Sequence, residues 1–170
     1  MTETFACAAA FADALAPLNG RVERVPAVDA EDAIDAEAMV PAVGVPLGVD
    51  GVSLPDSVTT DFTADEVETA KTGVTPAALG VAAYGSVLLQ HTSGGAEPAQ
   101  LYPEKHVAVL RESDLYPDLE AAWGPLVAEF DAGRDDGVIA TGSSATADMG
   151  ELVRGVHGPR EVVVVLVEDR

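Results

Sequence analysis

Residues 162–167 read Val-Val-Val-Val-Leu-Val, and no polar residue interrupts this run. Five of the six residues are β-branched, which is typical of a strand that a sheet buries on both faces. Upstream, short segments with strand character alternate with segments that have helical apolar spacing. This alternation predicts an α/β fold with a mostly parallel sheet flanked by helices. The sequence has no internal repeat and no long linker, so we expect residues 1–170 to form a single domain.

Apolar spacing and turn residues predict the elements that accompany this strand. Helices are predicted at 5–18, 29–39, 63–71, 115–130 and 147–154. Further strands are predicted at 21–28, 43–47, 57–61, 77–83, 86–90, 106–110 and 137–140. Thr63 and Glu66 have the spacing of a capping box, Gly73 is expected to end that helix, and residues 91–100 are expected to form a polar loop.

The charge balance restricts the class of partner. The chain has 29 acidic and 9 basic residues, a formal charge of −20, which excludes unaided electrostatic binding to nucleic acid or anionic lipid. No apolar run approaches the roughly 20 residues that a membrane span needs, so we expect a cytoplasmic protein. Acidic residues are spread along the whole chain, and only two lysines accompany seven arginines. This pattern favours adaptation to a salt-filled, haloarchaeal-like cytoplasm; an ordinary acidic protein is the alternative.

The few cysteine and histidine residues limit cofactor chemistry. Cys7 is the single cysteine, so an internal disulfide and an iron–sulfur or zinc site built from several cysteines are excluded. His91, His106 and His157 do not have metal-ligand spacing on one element. No dinucleotide-binding fingerprint follows a strand. We therefore expect no metal and no resident cofactor in this chain.

The best candidate for a site is the predicted strand–loop–helix unit from Val138 to Arg154. A loop of small residues that enters a helix can offer hydroxyls, backbone N–H groups and the positive helix end to an anion. The loop residues predicted to bind a ligand are Thr141, Gly142, Ser143, Ser144 and Thr146. The alternative is a loop that only caps its own helix, with Asp148 supplying the negative charge.

The turn before residues 162–167 contributes two more candidates. His157 has the chemistry of a general base or a carboxylate ligand, and Arg160 is expected to converge on the same ligand; a turn histidine bonded to backbone is the alternative. A Ser143–Asp148–His157 triad is not favoured, because the G-x-S-x-G elbow is missing. Residues 138–140 and 162–167 are expected to be central and parallel. In that arrangement the loop and the turn would lie at opposite ends of the sheet, which opposes their convergence.

Two segments carry a family resemblance. Residues 140–148 (Ala-Thr-Gly-Ser-Ser-Ala-Thr-Ala-Asp), followed by 155–160 (Gly-Val-His-Gly-Pro-Arg) and a valine-rich strand, resemble the LUD (lactate utilisation) domain family. The resemblance implies a fold similar to the NagB/RpiA/CoA-transferase superfamily. It also implies a role in oxidising L-lactate to pyruvate alongside separate iron–sulfur subunits. The family usually has a glutamate where Tyr84 stands, so any chemistry that needs that glutamate is missing here.

These observations favour a cluster-free subunit of an L-lactate-oxidising system that binds a small carboxylate or phosphate at the 141–146 loop. One alternative is a stand-alone isomerase or CoA-transferase-like enzyme acting on an acyl or sugar-phosphate substrate. Another is a subunit with a purely structural role in assembly. The sequence assigns no catalytic residue.

Overall fold

The computed structural model describes residues 2–92, 94–148 and 150–169. Its helices are α1 (Thr2–Leu15), α2 (Ala30–Glu37), α3 (Ala64–Thr69), α4 (Ala96–Leu101) and α5 (Leu119–Asp131). The strands of the first half are β1 (Gly20–Pro26), β2 (Ala42–Gly44), β3 (Val58–Thr59), β4 (Thr72–Pro76), β5 (Leu79–Val81) and β6 (Ser86–Gln90). Those of the second half are β7 (Lys105–Arg111), β8 (Leu115–Tyr116), β9 (Gly137–Thr141), β10 (Ala145–Thr146), β11 (Val153–Arg154) and β12 (Glu161–Glu168).

The main sheet has the strand order β1-β12-β7-β4-β2-β3, and every neighbouring pair in it is parallel. β12 lies between β1 and β7, with Val163 opposite both Arg21 and Val107. All six residues of the 162–167 run are buried. The prediction of a strand buried on both faces, and of an α/β fold with a mostly parallel sheet, is therefore confirmed.

The two faces of this sheet pack against different layers. On one face, Val164 and Leu166 pack with Phe11 and Leu15 of α1, with Val87 and Leu89 of β6 and with Leu115 of β8. On the other face, Val163 and Val165 pack with Ile34 of α2. Because side chains alternate along a strand, the single valine run supplies both cores.

A smaller sheet, with the order β8-β5-β6-β9, covers the face that α1 also covers. β5 and β6 are joined by a short connection that ends at Gly85, which has a φ of 62°, so they pair antiparallel. β9 then pairs antiparallel with β6 at the edge of this sheet, where Val138 and Ile139 are 44% and 54% exposed. The expectation that residues 138–140 lie centrally and parallel to 162–167 is wrong. Their apolar character places them in a strand but does not distinguish an edge from a centre.

The predicted helix at 147–154 is also wrong. Ala145 pairs with Arg154 in the antiparallel hairpin of β10 and β11, and the Gly155 N–H donates to the Ser144 carbonyl at 3.0 Å. Gly150 has a φ of 83°, a left-handed conformation that a right-handed helix does not contain. Met149, which this predicted helix includes, lies outside the described residues.

Three other predictions need correction, and one is confirmed. The capping box of Thr63 and Glu66 is present, but Gly73 does not end α3. Gly73 lies inside β4, where a Cβ atom would collide with the carbonyl of Ala99 in α4, so close packing requires the glycine. Residues 96–100 belong to α4 and not to a loop, and α5 begins at Leu119 because residues 115–116 form β8. No helix among the described residues has both the length and the apolarity to cross a membrane.

Candidate functional site

The 141–146 loop and the turn before β12 are in direct contact. The Ser144 N–H donates to the Pro159 carbonyl at 2.9 Å, and the Ser144 carbonyl accepts from the Gly155 N–H. This contact is possible because β9 belongs to the smaller sheet, so its carboxyl end lies over the amino end of β12. If β9 and β12 were parallel neighbours in one sheet, the loop and the turn would lie at opposite ends of it; because they are in different sheets, the two segments can meet.

The loop and the turn form one wall of a cleft of about 290 Å³. Of the predicted ligand-binding residues, five line this cleft: Thr141, Gly142, Ser143, Ser144 and His157. Thr146 and Arg160 are not among the lining residues. The Thr146 hydroxyl accepts from the Asp148 N–H at 3.3 Å, and the Arg160 carbonyl accepts from the Asn19 amide at 2.6 Å.

Several hydrogen-bonding groups of the loop are used to fix the loop itself. Both the N–H and the hydroxyl of Ser143 donate to the Leu18 carbonyl, at 3.0 and 3.2 Å. The hydroxyls of Thr141 and Ser86 are 2.7 Å apart. The described residues after the loop form a hairpin, so the expected positive helix end is missing at this site. The loop therefore lacks a helix dipole, and its Thr141 and Ser143 hydroxyls already have partners within the protein.

Gly142 is predicted by the sequence to contact a ligand, but its conformation serves packing within the protein. Its φ is 70°, and a Cβ atom there would lie 2.5 Å from the Leu18 Cβ and 2.6 Å from the Leu18 carbonyl oxygen. The glycine thus permits close approach of the α1–β1 connection, which presses the loop against the body of the protein. Arg154 adds a second tie, since its Nη1 donates to the Ser143 hydroxyl at 2.8 Å.

The inner wall of the cleft includes a buried amide. Gln100 of α4 is 3% exposed and lines the cleft, and neither of its amide atoms has a hydrogen-bond partner among the described residues. Leaving a buried polar group unpaired costs roughly 1–3 kcal/mol. Such groups are rare in folded proteins and mark a place where a ligand or water completes the hydrogen bonding.

His106 of β7 lines the same cleft and is 2% exposed. Its Nε2 atom is 2.9 Å from the Thr75 hydroxyl, which fixes the orientation of the ring. Burial lowers the pKa of His106 to about 4, so the imidazole is neutral near pH 7. His157, by contrast, is exposed and lies at the mouth.

The cleft is free of formal charge in a chain whose net charge is −20. None of the described residues that line it is Asp, Glu, Lys or Arg; besides the polar groups above, its walls are apolar or backbone. A larger, open groove of about 700 Å³ lies beside α3 and carries Asp61 and Glu68 in its lining. The smaller cleft is the stronger candidate, because it combines enclosure by two sheets with a buried, unpaired amide.

Sequence reasoning missed Gln100, His106 and Arg154 as members of this region. His106 could have been found, because the strand period places it on the same face as the buried Ala108 and Leu110. Gln100 follows Ala96 at helical spacing, and both are buried. Tyr84 is 54% exposed and does not line the cleft.

Fold and site together define a two-sheet α/β domain with an uncharged cleft at the junction of its sheets. The sequence model of the LUD domain matches residues 26–167, so the chain belongs to the LUD domain family. A solved structure of a DUF162 family protein from Deinococcus radiodurans superposes with a TM-score of 0.73 at 22% identity, covering 96% of this chain and 98% of that one. At that identity the match supports the fold.

Curated relatives are similar over part of their length. Lactate utilization protein C of Deinococcus radiodurans is 32% identical over 105 residues, 60% of this chain and 49% of that protein. The protein of the same name from Bacillus licheniformis is 29% identical over 119 residues, 68% of this chain and 50% of that protein. The uncharacterized protein YkgG of Escherichia coli is 33% identical over 109 residues, 61% of this chain and 47% of that protein. The chain spans about half the length of the curated relatives it matches.

Proposed function

We propose that this LUD domain serves lactate utilization by binding a small carboxylate or phosphate in the cleft between the 141–146 loop and His157. L-lactate and pyruvate are the first candidates, because two of the relatives described above are named for lactate utilization. The observation that carries the proposal is the cleft itself. It joins the loop and the turn that resemble the family and places the hydroxyl-bearing residues Ser143 and Ser144, with His157, around one small volume.

The charge distribution supports this mode of binding. An anion is repelled by the −20 charge of the chain as a whole, but the cleft lining contains no carboxylate among the described residues. Molar salt would screen the distant carboxylates, while contacts within the cleft would be screened much less. Arg154 does not line the cleft, but its guanidinium donates to the Ser143 hydroxyl behind the loop and adds a positive charge near it.

The proposed role is that of a cluster-free subunit. Oxidation of L-lactate to pyruvate releases two electrons, and the single cysteine, Cys7, cannot hold an iron–sulfur cluster alone. Any iron–sulfur cluster that carries these electrons is therefore on a separate subunit, which agrees with the partner subunits that the family resemblance implies. In this scheme the present chain holds or presents the small acid in the cytoplasm, and the partner subunits carry the redox centres.

Calorimetric titration in molar KCl tests the proposal with L-lactate, pyruvate, phosphate and coenzyme A as separate ligands. His157→Ala removes one side chain from the mouth, and Val156→Ala is the matched control from the same turn, since Val156 is exposed and does not line the cleft. We expect at least one ligand to bind wild type and the control equally and to bind His157→Ala about tenfold more weakly, the effect of one charge-assisted contact.

Equal binding by all three proteins would place the site elsewhere. The lack of any binding would favour the purely structural role in assembly. Turnover of an acyl or sugar-phosphate substrate by the purified chain would replace the proposal with the isomerase or CoA-transferase alternative.

A further inference from the structure

The amide of Gln100 makes no hydrogen bond to the described residues of the fold. It is the buried polar group of α4, and both its Nε2 and its Oε1 atoms are unpaired among the described residues. α4 packs against β4 and β7, and Gln100 lines the cleft. Its two amide atoms have almost no accessible surface, so a ligand in the cleft reaches them only when the side chain turns toward the cleft. An apolar side chain of the same length would satisfy the packing there without an unpaired group.

We propose that Gln100 is the residue that recognises the hydroxyl group at C2 of a 2-hydroxy acid, an inference that rests on the proposed function. The amide offers one acceptor and two donors, while a hydroxyl group both donates and accepts. A ligand hydroxyl therefore matches either end of the amide. The oxo oxygen of a 2-oxo acid only accepts, so it can engage Nε2 but not Oε1, whereas a hydroxyl can engage either end.

The surroundings of Gln100 separate the two ends of such a ligand. His157 is exposed at the mouth, and Gln100 and His106 are buried at the inner wall. No cation lines the inner wall among the described residues, and the buried Leu89 and Val162 complete the lining there. A carboxylate is thus better placed at the mouth, and the uncharged hydroxyl with its apolar neighbour is better placed inside.

The neutral state of His106 fits the same assignment. Its ring orientation is fixed by the Thr75 hydroxyl, so it can present an uncharged polar edge to the cleft without attracting the carboxylate inward. His106 thus helps to keep the inner wall polar but uncharged.

The test compares L-lactate, pyruvate and propionate, which share a three-carbon carboxylate skeleton and differ at C2. Gln100→Met keeps the length of the side chain and removes its polar atoms. Glu97→Gln is the matched control on the same helix, since Glu97 is exposed and does not line the cleft. All affinities are measured by calorimetry in molar KCl.

We expect wild type and the control to bind L-lactate about tenfold more tightly than propionate, with pyruvate between them. In Gln100→Met the three affinities should converge, while that for propionate stays as in wild type. A second readout needs no ligand: Gln100→Met should raise the melting temperature, because it removes a buried unpaired amide. A residue with a purely structural role would lower it.

Two outcomes would overturn the inference and leave the proposed function standing. One is equal binding of L-lactate and propionate by wild type that is still weakened by His157→Ala. The other is a preference for L-lactate that survives Gln100→Met together with a lowered melting temperature, which would mean that a bound water pairs the amide. Absence of binding by any of the three acids would overturn the inference and the proposed function together.

Discussion

The Ser144 N–H donates a 2.9 Å hydrogen bond to the carbonyl oxygen of Pro159, which fastens the loop after β9 to the turn before β12. The bond joins β9, an edge strand of the smaller sheet, to the start of β12, an inner strand of the larger one. Because the two segments come from different sheets, they meet at one corner of the molecule. The candidate cleft lies at this corner.

The fold should depend on salt. The 20 uncompensated negative charges repel one another in dilute buffer, where the Debye length is about 30 Å, and are screened in molar salt, where it is about 3 Å. We expect the protein to lose structure or aggregate at ~10 mM salt and to recover it in molar KCl. Far-ultraviolet circular dichroism across a KCl series measures this. Full structure at low salt, with no gain on adding KCl, would contradict the halophilic interpretation.

Gly142→Ala should destabilise the loop. The left-handed φ of 70° and the clash with Leu18 together predict a loss of about 3 kcal/mol in the free energy of unfolding. Gly150→Ala is the matched control: its φ is 83°, but nothing lies within 4 Å of the new Cβ, so only the conformational part of the loss, about 1 kcal/mol, is expected. Denaturant titration in molar KCl compares them. Equal losses would mean that the Leu18 contact does not hold the loop.

The buried ion pair of Lys105 and Glu37 should contribute more to the stability of the fold than exposed ion pairs do. Their side chains are 7% and 10% exposed, and Glu37 also accepts from Arg21. Burial raises the pKa of Glu37, but hydrogen bonds from Arg21 and Lys105 outweigh it and hold the pKa below its ordinary value. Lys105→Met should therefore lower the free energy of unfolding by about 3 kcal/mol, since it leaves Glu37 with one cation.

Two further variants make the test of this pair specific. Lys105→Met combined with Glu37→Leu should recover part of the loss, because no buried charge is left behind. Arg111→Met removes the pair with Asp114, in which Arg111 is 47% exposed, and should change stability by less than about 1 kcal/mol. If Lys105→Met resembles Arg111→Met, the buried pair does not contribute as argued.

His106 should make stability fall as the pH is lowered. Burial holds its folded pKa at about 4, below the ordinary 6.5, so the unfolded chain binds more protons between these values. From pH 7 to pH 5 this histidine alone should remove about 2 kcal/mol from the free energy of unfolding. His106→Gln keeps a donor for Thr75 and should make the decline correspondingly shallower.

His91 provides a control, because its contribution to the free energy of unfolding changes with pH in the opposite direction. Its hydrogen bond to Asp136 raises its pKa, so it stabilises the fold below the ordinary value and loses that effect as the pH rises through the raised pKa. His91→Gln should therefore make the decline on acidification steeper. Denaturant titrations between pH 7 and pH 5 distinguish the three proteins, and identical slopes for wild type and His106→Gln would refute the neutral, buried state of His106.

The sequence predicts the central strand well because its signal is local. Val162–Val167 is buried on both faces, and the six residues themselves indicate this. The strand at Val138–Ala140 is equally apolar, yet it lies at the edge of the second sheet, because sheet membership depends on the distant β6. The wrong prediction of a helix at 147–154 has the same cause: Asp148 resembles a helix cap, but pairing between β10 and β11 decides the structure.

The residues of the candidate site also fall into two groups, those that the sequence predicts and those that only the fold brings together. The loop and His157 are visible in the sequence as small polar and turn residues, and both line the cleft. Gln100 and His106 come from α4 and β7, and only the packing of these elements brings them to the same cleft. That the amide of Gln100 lacks a partner is a property of the folded chain, which no local pattern contains.

A crystal structure grown in high salt with saturating L-lactate would show where the ligand lies. We expect one lactate molecule in the cleft, with its hydroxyl within hydrogen-bond distance of the Gln100 amide and its carboxylate toward His157 and Ser144. Lactate bound elsewhere, or a cleft holding only water at a lactate concentration that saturates the protein in solution, would contradict the account.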